Sequence, residues 1–189
     1  MSPEALLEDL RSSKALLETI TGQPVAGYRA PNFSIFKAGI DLVRRAGYRY
    51  DSSYNSFGGH GRYGHLDLAG LPQNQGVFTL SPGFFEVPIS NVHVNNQVLP
   101  LGGGGYFRLF PPCLFRLGME RILKRQHSFV FYAHPWEFDP SQPRVSGIPA
   151  QLKFRHYVNL AKTGPRLTAM IRHFSHCRFT TISDFLKGA

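Results

Sequence analysis

The stretch "PVAGYRAPNFSIFKAGIDLVRRAGYRYDSS", residues 24–53, decides how the chain is read. Its first eleven residues, 24–34, read as a short strand running into a loop, with the turn marked by Pro31 and Asn32. Residues 38–46 follow as a short amphipathic helix, with Ile40, Leu42 and Val43 apolar and Gly47 ending it. "YRYDSS" at 48–53 is the next strand and its exit. Upstream, residues 2–21 carry a helix: Ser2 suits the N-cap, Pro3 the first helical position, and Gly22 the stop. Leu6, Leu10, Leu17 and Ile20 fall near one face of it. Helix, strand, helix, strand with short connections predicts a parallel α/β arrangement.

Farther along, the pattern changes. Residues 54–76 are rich in Gly, Ser, Asn and His and read as a long loop. "VFTL", "FFEVPIS" and "NQVLPL" are short strand candidates, expected to form a small antiparallel insertion. "GGGG" at 102–105 lacks the lysine of a P-loop and the spacing of a dinucleotide fingerprint. It is expected to let the backbone turn sharply, with close approach to a ligand as the alternative. A helix is expected over 113–126 behind Pro111-Pro112, then a buried parallel strand, "SFVFYA", at 128–133. Two helical stretches, 149–162 and 165–175, are split by Gly164-Pro165, and a last strand, "RFTTI", leads to Ser183 as the cap of a terminal helix.

The chain has 189 residues, 42% hydrophobic and 17% charged, which suits a globular domain and excludes a disordered one. No run of eighteen apolar residues exists, so no integral membrane segment is expected, and without a secretory signal the chain reads as cytoplasmic. Cys113 and Cys177 make no disulfide framework and are expected to be small buried hydrophobes. The net charge of +9 is scattered without a long basic block, which favours a solvated surface over a nucleic-acid footprint.

In parallel α/β sheets, reactive side chains gather at the C-terminal ends of strands. Three polar clusters take such positions: Arg29 to Phe33, Asp51 to Ser53, and His134 to Asp139. Together they suggest one site built from several loops. Trp136 has an indole face suited to a sugar ring, or to packing its own loop. Glu137 and Asp139 are expected to brace that loop or face solvent, and Glu86 is a further carboxylate at a strand end.

"YRAPNFS", "GYRYDSS", "EVP", "GGGGYFR" and "FYAHPWEFD", in that order, resemble the polysaccharide deacetylase family, the NodB-homology carbohydrate deacetylases. The likeness is to the bacterial exopolysaccharide-locus subgroup with an added C-terminal region. It implies a partial irregular (β/α) barrel lacking its first strands. Residues 1–189 would then be the C-terminal portion of a deacetylase-like domain, with a loop and β insertion over 54–107 and a helical C-terminal region over 145–189. The implied activity is metal-dependent hydrolysis of N-acetyl groups on the amino sugars of an N-acetylated polysaccharide. By the resemblance His134 is the general acid for the leaving amine, and Arg29 the arginine that orients the basic aspartate. Pro31 and Phe33 match the groove wall. Asp51 and Tyr54 match the polar element that follows, and Trp136 joins them as a substrate contact.

The family's own metal motifs are not in these residues. None of the six aspartates (9, 41, 51, 67, 139, 184) is adjacent to another, and no two of the eight histidines are four apart. The expectation is therefore a truncated N-terminus, with base and metal ligands lying before Met1. The divalent metal of the intact family, zinc above all, is not expected to bind this chain natively. His60, His65, His173 and His176 read as surface histidines. An open barrel also predicts self-association through exposed strand edges. Two other functional readings stand: a carbohydrate-binding module or pseudoenzyme, and a basic nucleic-acid-binding domain, whereas the deacetylase reading calls for no nucleic acid.

Overall fold

The computed structural model describes residues 2–58, 64, 66–95 and 97–188, which form two compact units, 2–89 with 180–188 and 90–179. The fold is mixed α/β, and each unit has its own core.

In the first unit, helix α1 (Pro3–Thr21) begins and ends where its caps direct. The Ser2 hydroxyl accepts the Ala5 N–H at 3.2 Å, and Gly22 turns left-handed at φ 62°, its N–H bonding the Glu18 carbonyl. Leu7 and Leu10 are buried, but Leu17 and Ile20, expected on the same buried face, are exposed. Helix α2 (Lys37–Arg45) buries Ile40, Leu42 and Val43 as the spacing predicts. These side chains meet Leu7, Leu10, Ile35, Tyr48 and Phe84 in one core.

The sheet of this unit has five strands in the order β1-β2-β5-β4-β3: β1 (Gly27–Tyr28), β2 (Tyr50–Asp51), β3 (Gln73–Asn74), β4 (Val77–Ser81) and β5 (Phe84–Glu86). β1, β2 and β5 run parallel, while β4 pairs antiparallel with both β5 and β3. The strand containing Glu86 therefore belongs to the parallel sheet and not to a separate insertion, because Phe85 and Glu86 take Tyr50 and Asp51 as register partners. Gly27 is required beside Tyr50: a Cβ there would lie 2.0 Å from the tyrosine ring. A short helix, Ile182–Phe185, closes the chain, capped by the Thr181 hydroxyl instead of Ser183.

The second unit starts with an antiparallel hairpin of β6 (Asn91–Val94) and β7 (Gln97–Pro100). Helices α3 (Gly104–Leu109), α4 (Pro112–Gln126), α5 (Ala150–Tyr157) and α6 (Leu160–His173) follow. Phe107, Phe115, Met119, Ile122, Met170 and Phe174 form its core, with Phe107 packed edge-on against both Phe115 and Phe131.

Four expectations fail here for identifiable reasons. Residues 128–133 are extended and half-buried, and among the described residues pair through a single parallel bridge between Gly103 and Tyr132, so they form no buried strand. Residues 178–181 are exposed and pair with no strand among the described residues, so "RFTTI" is not a strand there either. The helical break lies at Val158-Asn159 and not at Gly164-Pro165. Arg108 takes the His156 and Val158 carbonyls at 2.9 and 2.8 Å, and Asn159 turns left-handed at φ 53°. Pro165 thus falls inside α6, where it withholds only the hydrogen bond to the Ala161 carbonyl. Cys113 is exposed and Cys177 half-buried, since position 113 sits on the outer face of the first turn of α4.

Candidate functional site

Two polar constellations stand at the positions the sequence marks, one in each unit. In the first unit, the C-terminal ends of β1, β2 and β5 are stitched together by side chains. Arg29, just after β1, donates from Nε to the Ser52 carbonyl at 2.8 Å and from Nη2 to the Ser52 hydroxyl at 2.7 Å. The Ser52 hydroxyl donates in turn to the Val87 carbonyl at 2.6 Å. Ala30 N–H donates to the Ser53 hydroxyl, and Ser53 donates from both its N–H and its hydroxyl to the Asp51 carboxyl, at 2.8 and 2.9 Å.

Asp51 and Glu86, both 0% exposed, are register partners on adjacent parallel strands, so their side chains leave the same face of the sheet. Glu86 Oε1 accepts the Tyr54 N–H at 2.9 Å. As a carboxylate, its Oε2 would be buried without a donor. Its titratable neighbour on the adjacent strand is the Asp51 carboxyl. Burial, then the neighbouring Asp51 charge, holds Glu86 protonated well above the ordinary carboxyl range. Burial also raises Asp51, offset by its hydrogen bonds to Glu86 and Ser53 and by the nearby Arg29.

Pro31 is exposed and Tyr54 half-buried, while Phe33 is buried beneath the Arg29 guanidinium, 5.7 Å from its ring centroid. Asn32 and Phe33 both adopt positive φ, 52° and 56°, a costly choice for an aromatic residue. The turn holds because the Phe33 carbonyl accepts the N–H groups of Ile35 and Gly64. The loop after β1 is thus fixed in an unusual shape, with the proline on its outside.

In the second unit, His134 leads into a 3-10 turn at Pro135–Phe138 and its side chain is exposed. Glu137 braces the turn as the sequence suggests. Its Oε2 accepts the His134 N–H at 2.8 Å, and its Oε1 takes Arg108 Nε and Nη2 at 3.3 and 3.2 Å. Arg108 and Glu137 are 1% and 2% exposed, making this a buried ion pair. Arg108 also reaches the end of α5, so one guanidinium joins the His134 turn to two helices. Gly104 makes room for the carboxylate: a Cβ would lie 2.1 Å from Glu137 Oε2. The "GGGG" run therefore serves close approach, but to a carboxylate of the same chain. It also opens helix α3, and its backbone pairs with Tyr132.

Trp136 is half-buried, with the His156 ring stacked 4.3 Å away at 13° and the His134 ring nearly parallel at 5.9 Å. His156 is held in turn by Gln142, 2.9 Å from its Nε2. Asp139 is exposed and bonds the N–H and hydroxyl of Ser141, which lower its pKa. The sequence marked Arg29, Pro31, Phe33, Asp51 and Tyr54, which the structure gathers in the first unit, and His134 and Trp136, which it gathers in the second. Glu86, Arg108 and His156 complete these constellations. Only Glu86 carried a signal in the sequence, as a carboxylate at a strand end.

Among the described residues, no group of three or more His, Cys, Asp or Glu side chains is arranged to hold a metal ion. Asp51 and Glu86 are fully buried and accept from Ser53 and Tyr54, and two carboxyls alone fall short of the ligand set of a divalent cation. His60 and His65 lie outside the described residues. His173 bonds Glu120 at 3.2 Å.

The fold and its constellations define a mixed α/β protein with a buried carboxyl pair and a braced surface histidine. The chain belongs to the family described as "Domain of unknown function (DUF3473)", which matches residues 52–187. No curated protein and no solved structure matches it. No helix among the described residues is long and apolar enough to cross a membrane.

Proposed function

We propose that this chain is the C-terminal part of a metal-dependent polysaccharide N-deacetylase, its α/β units being part of an irregular (β/α) barrel. It would hydrolyse N-acetyl groups on the amino sugars of an exopolysaccharide. The observation that carries the reading is His134: an exposed imidazole on a turn held by a buried ion pair, at the end of the extended segment 128–133. An amine leaves an acetyl group readily only when it is protonated as the C–N bond breaks. A protonated imidazole can supply that proton. The Glu137 carboxylate fixes the His134 backbone, and Trp136 with His156 lies beside the ring, so the donor is positioned before substrate arrives.

In the first unit, Arg29 and the exposed Pro31 form a shaped loop, and the Asp51–Glu86 pair holds that loop through Ser53. Asp51 is fully buried, so its role in this reading is to position Ser53 and Ala30. A divalent metal would polarise the acetyl carbonyl and activate water. The described residues do not fit such an ion, so the reading places its ligands outside them.

The test is acetate release from an N-acetylated glucosamine polymer by the protein translated from the complete reading frame, with and without His134→Asn. Zinc-dependent release that falls at least a hundredfold in the variant supports the reading. Polymer binding without release makes the protein a carbohydrate-binding module or pseudoenzyme. Salt-sensitive binding to DNA or RNA, with neither of the others, makes it a nucleic-acid-binding domain.

A further inference from the structure

The second unit contains an open cavity of about 360 Å³ on the far side of the Phe107–Phe115 pair, of a size typical for small-molecule sites. Its floor is the apolar core, Phe107, Phe115 and Met170, all buried. One wall is a stripe of α6, Ala161, Pro165 and Ala169, spaced four residues apart and so on one helical face. The small side chains keep α6 from filling the space. Pro112 at the start of α4 forms the opposite wall.

The polar part of this lining is entirely cationic: Arg116, Lys162 and Arg166. Arg116 and Lys162 are exposed, and none of the three joins an ion pair among the described residues. Arg166 is half-buried and fixed by the Phe107 and Arg108 carbonyls at 3.3 and 2.7 Å, so its charge is held at the cavity edge. Helix α4, fifteen residues long, adds its positive end, because its N-cap residue, Pro111, has no side-chain acceptor to bond the first amides.

An apolar trough with three cations, an uncapped helix start and no acidic side chain in its lining is complementary to one ligand chemistry. We propose that this cavity binds a monomeric anionic amphiphile with a single unbranched acyl chain, its chain along the Ala161–Pro165–Ala169 stripe and its acidic head among Arg116, Lys162 and the start of α4. The site is independent of the deacetylase reading and shares no residue with it.

The probe is decanoate, titrated by calorimetry at monomeric concentrations against the whole chain, with decyltrimethylammonium and decyl maltoside as head-group controls. Saturable one-to-one binding of decanoate is expected, with the controls at least tenfold weaker. The double variant R116E/K162E should weaken decanoate at least tenfold by removing the charge. Ala169→Trp should abolish binding by filling the trough while leaving every cation in place. Ala169 is exposed, so this variant keeps the fold, which its unchanged circular dichroism spectrum would verify. Absence of saturable binding, equal affinity for the cationic amphiphile, or full binding by the folded Ala169→Trp variant would overturn the proposal. So would binding only to phosphatidylglycerol vesicles, which would make this face a membrane-surface contact, or concentration-dependent dimerisation blocked by Ala169→Trp, which would give it to a second copy of the chain.

Discussion

Glu137→Gln isolates the ion pair that holds the His134 turn. The substitution preserves shape and still accepts a hydrogen bond, but it leaves the Arg108 charge buried with its carboxylate partner gone. Breaking a buried pair from one side costs about 3–5 kcal/mol. Arg108 keeps the His156 and Val158 carbonyls, so the low end applies, about 3 kcal/mol. Arg108→Met should cost more, about 4–5 kcal/mol, because those two carbonyls and Glu137 all lose their donor. The double variant buries no unpaired charge, so it should be less destabilised than the sum by about 2 kcal/mol. Urea unfolding followed by tryptophan fluorescence measures all three, since Trp136 is the sole tryptophan and lies in the same unit. A Glu137→Gln cost below about 1 kcal/mol, or strict additivity in the double variant, would refute the bracing argument.

Gly104→Ala should disturb the same contact by steric means, destabilising by about 1–3 kcal/mol, since its Cβ would meet Glu137 Oε2 at 2.1 Å. Glu137→Ala should cost less in that background than in the wild type, because the contact is already disturbed, as denaturation midpoints would show. The Asp51–Glu86 pair predicts a pH dependence. Because the folded state keeps Glu86 protonated above its ordinary value of 4.5, stability contributed by this pair is full at lower pH and declines as pH rises through the raised range. Glu86→Gln, which does not titrate, should flatten that decline in melting curves taken across the range, and an unchanged slope would contradict the raised carboxyl. β1 is an edge strand of its sheet among the described residues, so concentration-dependent self-association is expected by analytical ultracentrifugation, and a strictly monodisperse monomer would count against it.

What the sequence disclosed was mostly local. Ser2, Pro3 and Gly22 delimit α1 because caps act within one turn, and the apolar spacing of α2 marks its buried face. Pairing across the sheet is another matter. Nothing near Glu86 says that it will lie opposite Asp51, thirty-five residues earlier, so the parallel β5 reads from sequence as part of an insertion. Likewise Arg108 carries no signal in "GGGGYFR" until Glu137 and the end of α5 converge on it. That convergence also moves the helical break away from Gly164-Pro165, where local propensity puts it. The polar clusters of each unit were legible one by one. Their division between solvent-facing His134 and fully buried Asp51 and Glu86 depends on packing, which residue type alone does not encode.

The central claim is that His134 protonates the departing amine of an N-acetylated sugar. Its most direct measurement is the rate of acetate release by the protein from the complete reading frame, for the wild type and His134→Asn. The account predicts a loss of about 10²–10⁴-fold in the variant. Near-normal rates in His134→Asn, or no acetate release from the wild type, would contradict it.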